Sequence, residues 1–348
     1  MNPYILAMLL FGLGLGTMIT FISSHWLLAW MGLEINTLAI IPLMAQYHHP
    51  RAVEATTKYF LTQATAASML LFATTTNAWL TGQWDLQHMT HPLSIGLTTL
   101  ALALKLGLAP IHAWLPEVMQ GLDLITGLIL STWQKMAPFI LMIQMPHINT
   151  NLLVTLGLMS TLVGGWGGLN QTQLRKILAY SSIAHLGWMM MVLPFFPSLA
   201  LLTLLTYFIM TFSTFLVFKL TKSTNINTLA ISWTKTPALT SLTPLILLSL
   251  GGLPPLTGFM PKWLILQELT KQSLALLATM AALSALLSLY FYLRLSYAMT
   301  LTISPNNLTG TTPWRLRPMQ ATLPIAISTT ATLALMPMMP AMISTFTL

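Results

Sequence analysis

Apolar stretches long enough to cross a bilayer follow one another along this chain almost without pause. A helix rises about 1.5 Å per residue, so a hydrocarbon layer of roughly 30 Å takes about twenty residues. The stretches cover residues 3–21, 25–45, 58–80, 93–120, 123–145, 152–169, 176–193, 198–220, 241–269, 274–299 and 321–346. Between them lie turn formers such as His49-Pro50, Asn170-Gln171 and Ser304-Pro305-Asn306-Asn307. Lys+Arg number 14 and Asp+Glu 6, so 6% of the 348 residues are charged. A soluble domain carries about 25%. So few charges cannot cover a water-facing surface. The expectation is an all-α polytopic membrane protein of about eleven transmembrane helices, coextensive with the chain.

The net charge of +8 raises nucleic acid as a partner, but the basic residues are scattered and write no basic face, so nucleic-acid binding is excluded. Cysteine is absent, which removes disulfides, thiolate-held iron–sulfur clusters and thiol nucleophiles. The 24 methionines are flexible apolar filler. Met1-Asn2-Pro3 runs straight into apolar sequence and reads as the first span rather than a removed signal. Connections after even-numbered spans hold ten basic residues: Arg51, Lys58, Arg175, Lys176, Lys219, Lys222, Lys235, Arg294, Arg315 and Arg317. Those after odd-numbered spans hold Lys271, and at most two if Lys262, inside the ninth stretch, is counted with them. This bias places the N-terminus on the charge-retaining side of the membrane.

The fourth and ninth stretches share a signature. Gly107-Leu108-Ala109-Pro110 with Pro116-Glu117 matches Gly252-Leu253-Pro254-Pro255 with Pro261-Lys262, at a constant offset of 145 residues. That offset spans five helices, an odd number, which predicts two inverted repeats, residues 3–145 and 150–299, followed by a C-terminal helix over 321–346. Helices interrupted by Gly and Pro at matching places in inverted halves point to a transport site near the midplane. Two unrelated proline kinks are the plainer alternative. The predicted breaks lie at Pro110 and at Pro254 and Pro255.

Four charges fall inside apolar stretches: Glu34, Lys105, Lys135 and Lys262. Lys135 sits about twelve residues into its stretch, about 18 Å from the start and too deep to reach either surface easily. Each such charge costs at least about 2.5–3.5 kcal/mol on a lipid-facing helix. One carboxylate cannot neutralise three amines, so internal salt bridging alone does not account for them. Burial lowers an amine's proton affinity and a nearby carboxylate restores it, so lysine beside a movable carboxylate can load and unload a proton. His112, after the first break, and His185, in Tyr180-Ser181-Ser182-Ile183-Ala184-His185, are candidate relays. A histidine merely bonded to a neighbouring helix is the competing reading. His25, His48, His49, His88, His91 and His147 lie at or near connections and read as interfacial. No residue set is proposed to bind a cofactor or a metal.

Residues 101–105 (Ala-Leu-Ala-Leu-Lys) and 110–117 (Pro-Ile-His-Ala-Trp-Leu-Pro-Glu) resemble the broken-helix motif of the antiporter-like subunits of respiratory complex I. Residues 175–187 resemble a second motif of that family, and residues 251–262 look like its second broken helix. The likeness runs through essentially the whole chain. It implies a subunit of a proton-translocating NADH:ubiquinone reductase, with Glu34, Lys105, Lys135 and Lys262 as the charges of a proton path. It also implies that NADH, FMN, iron–sulfur clusters and ubiquinone are handled by other subunits. The implied partners are the other membrane-arm subunits, including sister antiporter-like and accessory subunits, and phospholipids such as cardiolipin. The implied location is the mitochondrial inner membrane, N-terminus to the matrix and C-terminus to the intermembrane space. Bacterial relatives are longer, so this chain resembles a version lacking the first three helices. Lys262 stands where some sisters carry glutamate. A self-standing cation/proton antiporter and a structural membrane scaffold are the alternatives.

Overall fold

The computed structural model describes residues 2–46, 49–146, 149–234, 236–301 and 323–347. His48, His147, Lys235, Arg315, Arg317, the Ser304 to Asn307 linker and the first residues of the expected last helix lie outside the described residues. Among the described residues the regular structure is helical, apart from two isolated bridges, His25 to Asp85 and Gln173 to Asn225. The chain divides into two compact units, Met1–Met159 and Ser160–Leu348.

The first unit contains α1 (Pro3–Ile22), α2 (Trp26–Met44), α3 (Pro50–Thr81), α4 (Pro92–Leu106), α5 (Trp114–Gly121), α6 (Leu124–Ser131) and α7 (Trp133–Gln144). The boundary falls within α8 (Thr150–Gly168). The second unit continues with α9 (Leu174–Val192), α10 (Pro197–Thr221), the short α11 (Ile226–Ala230), α12 (Pro237–Gly251), α13 (Phe259–Lys271), α14 (Ala275–Thr300), α15 (Leu323–Ala334) and α16 (Met339–Thr347). Helix thus occupies every apolar stretch. By length and composition the spans Pro3–Ile22, Trp26–Met44, Leu124–Gln144, Pro197–Thr221 and Ala275–Thr300 are each able to cross a membrane.

Three local features depart from the sequence expectation. α3 starts eight residues early, at Pro50, because the His49 side chain accepts the Arg51 N–H and Pro suits the first helical turn. Its 32 residues reach about 48 Å, longer than the hydrocarbon layer, so its charged first turns extend past it. Residues 123–145 do not form one regular helix: α6 gives way to α7 at Thr132, whose ψ is −71°. The expected C-terminal helix is bent by 66° between α15 and α16. Pro337 has no N–H to carry the helical ladder through that point.

Close packing rests on small residues. At the α1–α2 crossing, a Cβ on Gly32 would stand 2.8 Å from the Gly16 carbonyl, so only glycine permits this approach. Indole and amide groups then tie the first unit together: Trp30 Nε1 donates to Ala67 O at 3.2 Å, Trp133 Nε1 to Leu13 O at 3.3 Å, and Gln144 Nε2 to Phe21 O at 3.1 Å. In the second unit a Cβ on Gly164 would lie 2.7 Å from Ala184 N, and Arg294 donates to Leu169 O at 2.7 Å. Buried hydroxyls satisfy themselves within their own helices, as Thr98 does on Ile95 O at 2.9 Å. That is how so many Ser and Thr sit in an apolar core.

Candidate functional site

Both predicted breaks form, and they form alike. At the end of α4, Gly107 adopts φ 80° and ψ 41°; its N–H meets the carbonyls of Ala103 (2.9 Å) and Leu104 (3.1 Å), and Leu108 N–H meets Ala103 O (3.0 Å). At the end of α12, Gly252 adopts φ 79° and ψ 40°, and the same bonds run from Gly252 to Leu248 and Ser249 and from Leu253 to Leu248. This is a left-handed glycine cap, which closes the last carbonyls of a helix and turns the chain away. Pro110 and Pro255, each after a cis bond, follow three residues later in both units. The backbone therefore repeats at the 145-residue offset atom for atom in its capping bonds.

The side chains do not repeat. In the first unit the Trp114 indole donates to Leu104 O at 3.2 Å. In the second, Lys262 Nζ donates to Gly251 O at 2.7 Å, placing a cation on the negative end of α12. The counterpart of Lys262 is Glu117, which pairs with Lys58 at 2.7 Å on an exposed edge. Lys58 also bonds Glu54 at 2.8 Å, and that hydrogen bond holds the Glu54 carboxyl below the usual carboxylate range.

Lys105 is the penultimate residue of α4, 7% exposed, and its Nζ has no hydrogen-bond partner. Lys135, 2% exposed, stands in the first turn of α7, just past the irregularity at Thr132. Pro138, one turn on, withdraws an N–H from the ladder beside it. Both lysines line one cavity with Asn36, Thr37, Tyr59, Gln63 and Gln134. The volume open to the centre of a water molecule is about 20 Å³, room for one water. Glu34, half-buried on α2, accepts from the Thr37 hydroxyl at 3.0 Å. It acts electrostatically on Lys105 and on Tyr59 but makes no direct ion pair with the lysine.

The histidines separate from this cavity. His112 is half-buried within the first break, a ring nitrogen 3.3 Å from Pro110 O, and is not among the lining residues. His185, in the second unit, packs on the Tyr207 ring at 5.5 Å. Around it Tyr207 bonds Ser182, and the Tyr292 hydroxyl lies beside Ser181, giving a buried hydroxyl cluster from α9, α10 and α14. Histidines expected at connections are found there: His25 and His49 cap α2 and α3, and His91 precedes α4. Among the described residues no group of three or more His, Cys, Asp or Glu is placed to hold a metal. A search for charges passes over the amides Asn36, Gln63 and Gln134 and the phenols Tyr59, Tyr207 and Tyr292. The signal was present in Tyr59 and Gln63, polar residues one turn apart on the buried face of α3.

Helices interrupted at matching glycines, with amines sequestered beside one of the breaks, define the ion-translocating, antiporter-like class of membrane proteins. The family described as NADH:quinone oxidoreductase/Mrp antiporter, TM, matches residues 23–288, and NADH dehydrogenase subunit 2 C-terminus matches residues 289–343. The chain belongs to this family. A relative from Tetraodon nigroviridis named NADH-ubiquinone oxidoreductase chain 2 is 73% identical over 346 residues, covering 99% of each chain. One of the same name from Oncorhynchus mykiss is 70% identical over 342 residues, 98% of each. In the structure of respiratory complex I from Thermus thermophilus, one chain matches with TM-score 0.85 at 29% identity, over 98% of this chain and 79% of that one.

Proposed function

We propose that this chain is an antiporter-like membrane subunit of a mitochondrial NADH:ubiquinone oxidoreductase and that it moves protons through a buried Glu/Lys/His path. Quinone reduction elsewhere in the complex drives the movement. The observation that carries the reading is the shared cavity: two sequestered amines, Lys105 and Lys135, at a helix break, with one carboxylate in electrostatic reach. An ammonium held this way changes its proton affinity when the carboxylate moves. Two amines lining one small cavity disfavour being charged together, so a proton arriving at one displaces a proton from the other. Lys262 is a further proton-holding group on the second unit, and its bond to Gly251 O couples its charge to the exposed end of α12. His112 and His185 serve as relays. The family's membrane-arm subunits and phospholipids such as cardiolipin are the proposed partners. NADH, FMN, iron–sulfur and quinone chemistry belong to other subunits. The N-terminus faces the matrix and the C-terminus the intermembrane space, as the basic-residue bias supports.

A self-standing sodium/proton exchanger is disfavoured, because the cavity is lined by amines and amides and holds no carboxylate to ligate a hard cation. Replacing Lys135 by Met keeps the length and removes the titratable group. The assembled enzyme should then oxidise NADH with impaired proton translocation or slowed turnover. Unchanged translocation per electron together with unchanged turnover would make Lys135 a packing residue and remove it from the path.

A further inference from the structure

Around the cavity of the first unit, three side chains on three helices carry buried polar atoms with no protein partner: Lys105 Nζ, Gln63 Nε2, and both Asn36 Nδ2 and Asn36 Oδ1. All three residues are more than nine-tenths buried, with exposures of 7% for Lys105, 4% for Gln63 and 2% for Asn36. Buried donors and acceptors are paired almost without exception in folded proteins, by protein or by ordered water. The cavity has room for about one water, and a buried water needs two to four polar partners. The supply and the need coincide.

We propose that Asn36 and Gln63 hold a single water against the Lys105 ammonium and are positioning residues for that proton carrier. Three of the four unpaired atoms can be met by one water, with Asn36 Nδ2 left outside the set. Water accepts from the Lys105 N–H and from the Gln63 amide N–H, and donates to the Asn36 carbonyl oxygen. Both amides are confined by the packing around them. Asn36 packs where Gly16 of α1 has no side chain, its Oδ1 nearest to where a Cβ would be and its Cγ 2.9 Å from it, and Gln134 Nε2 donates to the Asn36 backbone oxygen at 3.3 Å. Gln63 stands one turn beyond Tyr59 on the buried face of α3. The amides are neutral, so they orient the ammonium without competing with Glu34 for its proton. The water exchanges protons in concert: as it takes one from the Lys105 ammonium it gives its own to the neutral amine of Lys135, which lines the same cavity, and the reverse transfer reloads Lys105. This assignment rests on Lys105 being a proton carrier.

The test uses the assembled complex in its membrane. Gln63→Met keeps the volume and removes the amide, and should lower proton-coupled turnover by up to about tenfold, the worth of one hydrogen bond to a neutral water. Gln63→Asn retains an amide and opens space for a second water, and should recover most of the loss. In a Lys105→Met background, Gln63→Met should add nothing. A high-resolution map of the wild-type complex should show density within hydrogen-bonding distance of Lys105 Nζ and Gln63 Nε2. Wild-type rates in Gln63→Met, equal loss in the Met and Asn variants, additive losses with Lys105→Met, or a dry cavity would each overturn the proposal. If Lys105→Met alone pumps normally, the carrier reading fails instead, whatever the map shows at the cavity.

Discussion

Replacing Lys105 by Met separates a structural lysine from a working one, because the two roles demand opposite responses in stability. The Lys105 ammonium is 7% exposed, has no hydrogen-bond partner, and lies beyond the 4.0 Å of an ion pair with Glu34. At that separation the attraction is below about 4 kcal/mol even at an effective dielectric of about 20. Against it stands the burial of the ion, which costs several kcal/mol, with the unmet donors contributing about 1–3 kcal/mol of that penalty. Methionine has similar length, fills the same space and carries neither cost. The two contributions nearly cancel, so the variant should match wild-type stability within about 2 kcal/mol. Assembled complex, measured on native gels and by thermal inactivation of NADH oxidation, should be normal. Proton translocation per electron, measured in sealed membrane vesicles, should fall sharply. Loss of assembly would show that the attraction outweighs the burial cost and that the lysine is structural. Normal assembly with normal translocation would remove Lys105 from the path.

Two further perturbations follow from the same geometry. Glu34→Gln keeps the Thr37 contact and removes the charge acting on Lys105, and should reduce pumping and coupled turnover in a fully assembled complex, measured in the same vesicles; full pumping would favour the scaffold reading. Gly107→Ala and Gly252→Ala should each cost about 1–2 kcal/mol for a left-handed residue, seen as equal drops in thermal stability. Gly252→Ala brings a Cβ within 2.9 Å of Lys262 Cδ and 3.0 Å of its Nζ, and Gly107→Ala one within 2.8 Å of Leu115 Cδ1 on the Lys105 cavity, so both should also depress translocation. Wild-type translocation in Gly252→Ala would dissociate the Lys262 cap from function.

The helical class, the two breaks and the burial of Lys105 and Lys135 were legible in the sequence, for one reason. In hydrocarbon, a charge or a proline is costly enough that its position alone carries information. Gly107 and Gly252 announced the breaks because only glycine takes their backbone angles readily. What was not legible depended on contacts between helices. The Thr132 irregularity has no proline at its centre, whereas the bend before α16 had a signal in Pro337 that the reading of 321–346 as one helix passed over. Gln63 and Asn36 carry no charge, so a reading by charge passes over them, yet they leave polar atoms unpaired as Lys105 does. The single carboxylate does not touch an amine, a separation that only the folded arrangement of α2 against α4 could reveal.

The matched caps with unmatched side chains have a consequence for mutagenesis. Position 262 carries an ammonium where position 117 carries a carboxylate, and position 250 is leucine where position 105 is lysine. The two breaks share their backbone caps and differ in what surrounds them. Substitutions that are silent at one hinge will then be costly at the other, and a mutational map of one half will not transfer to its twin. The shared backbone decides where each helix stops, and the unshared side chains decide what each stop can hold.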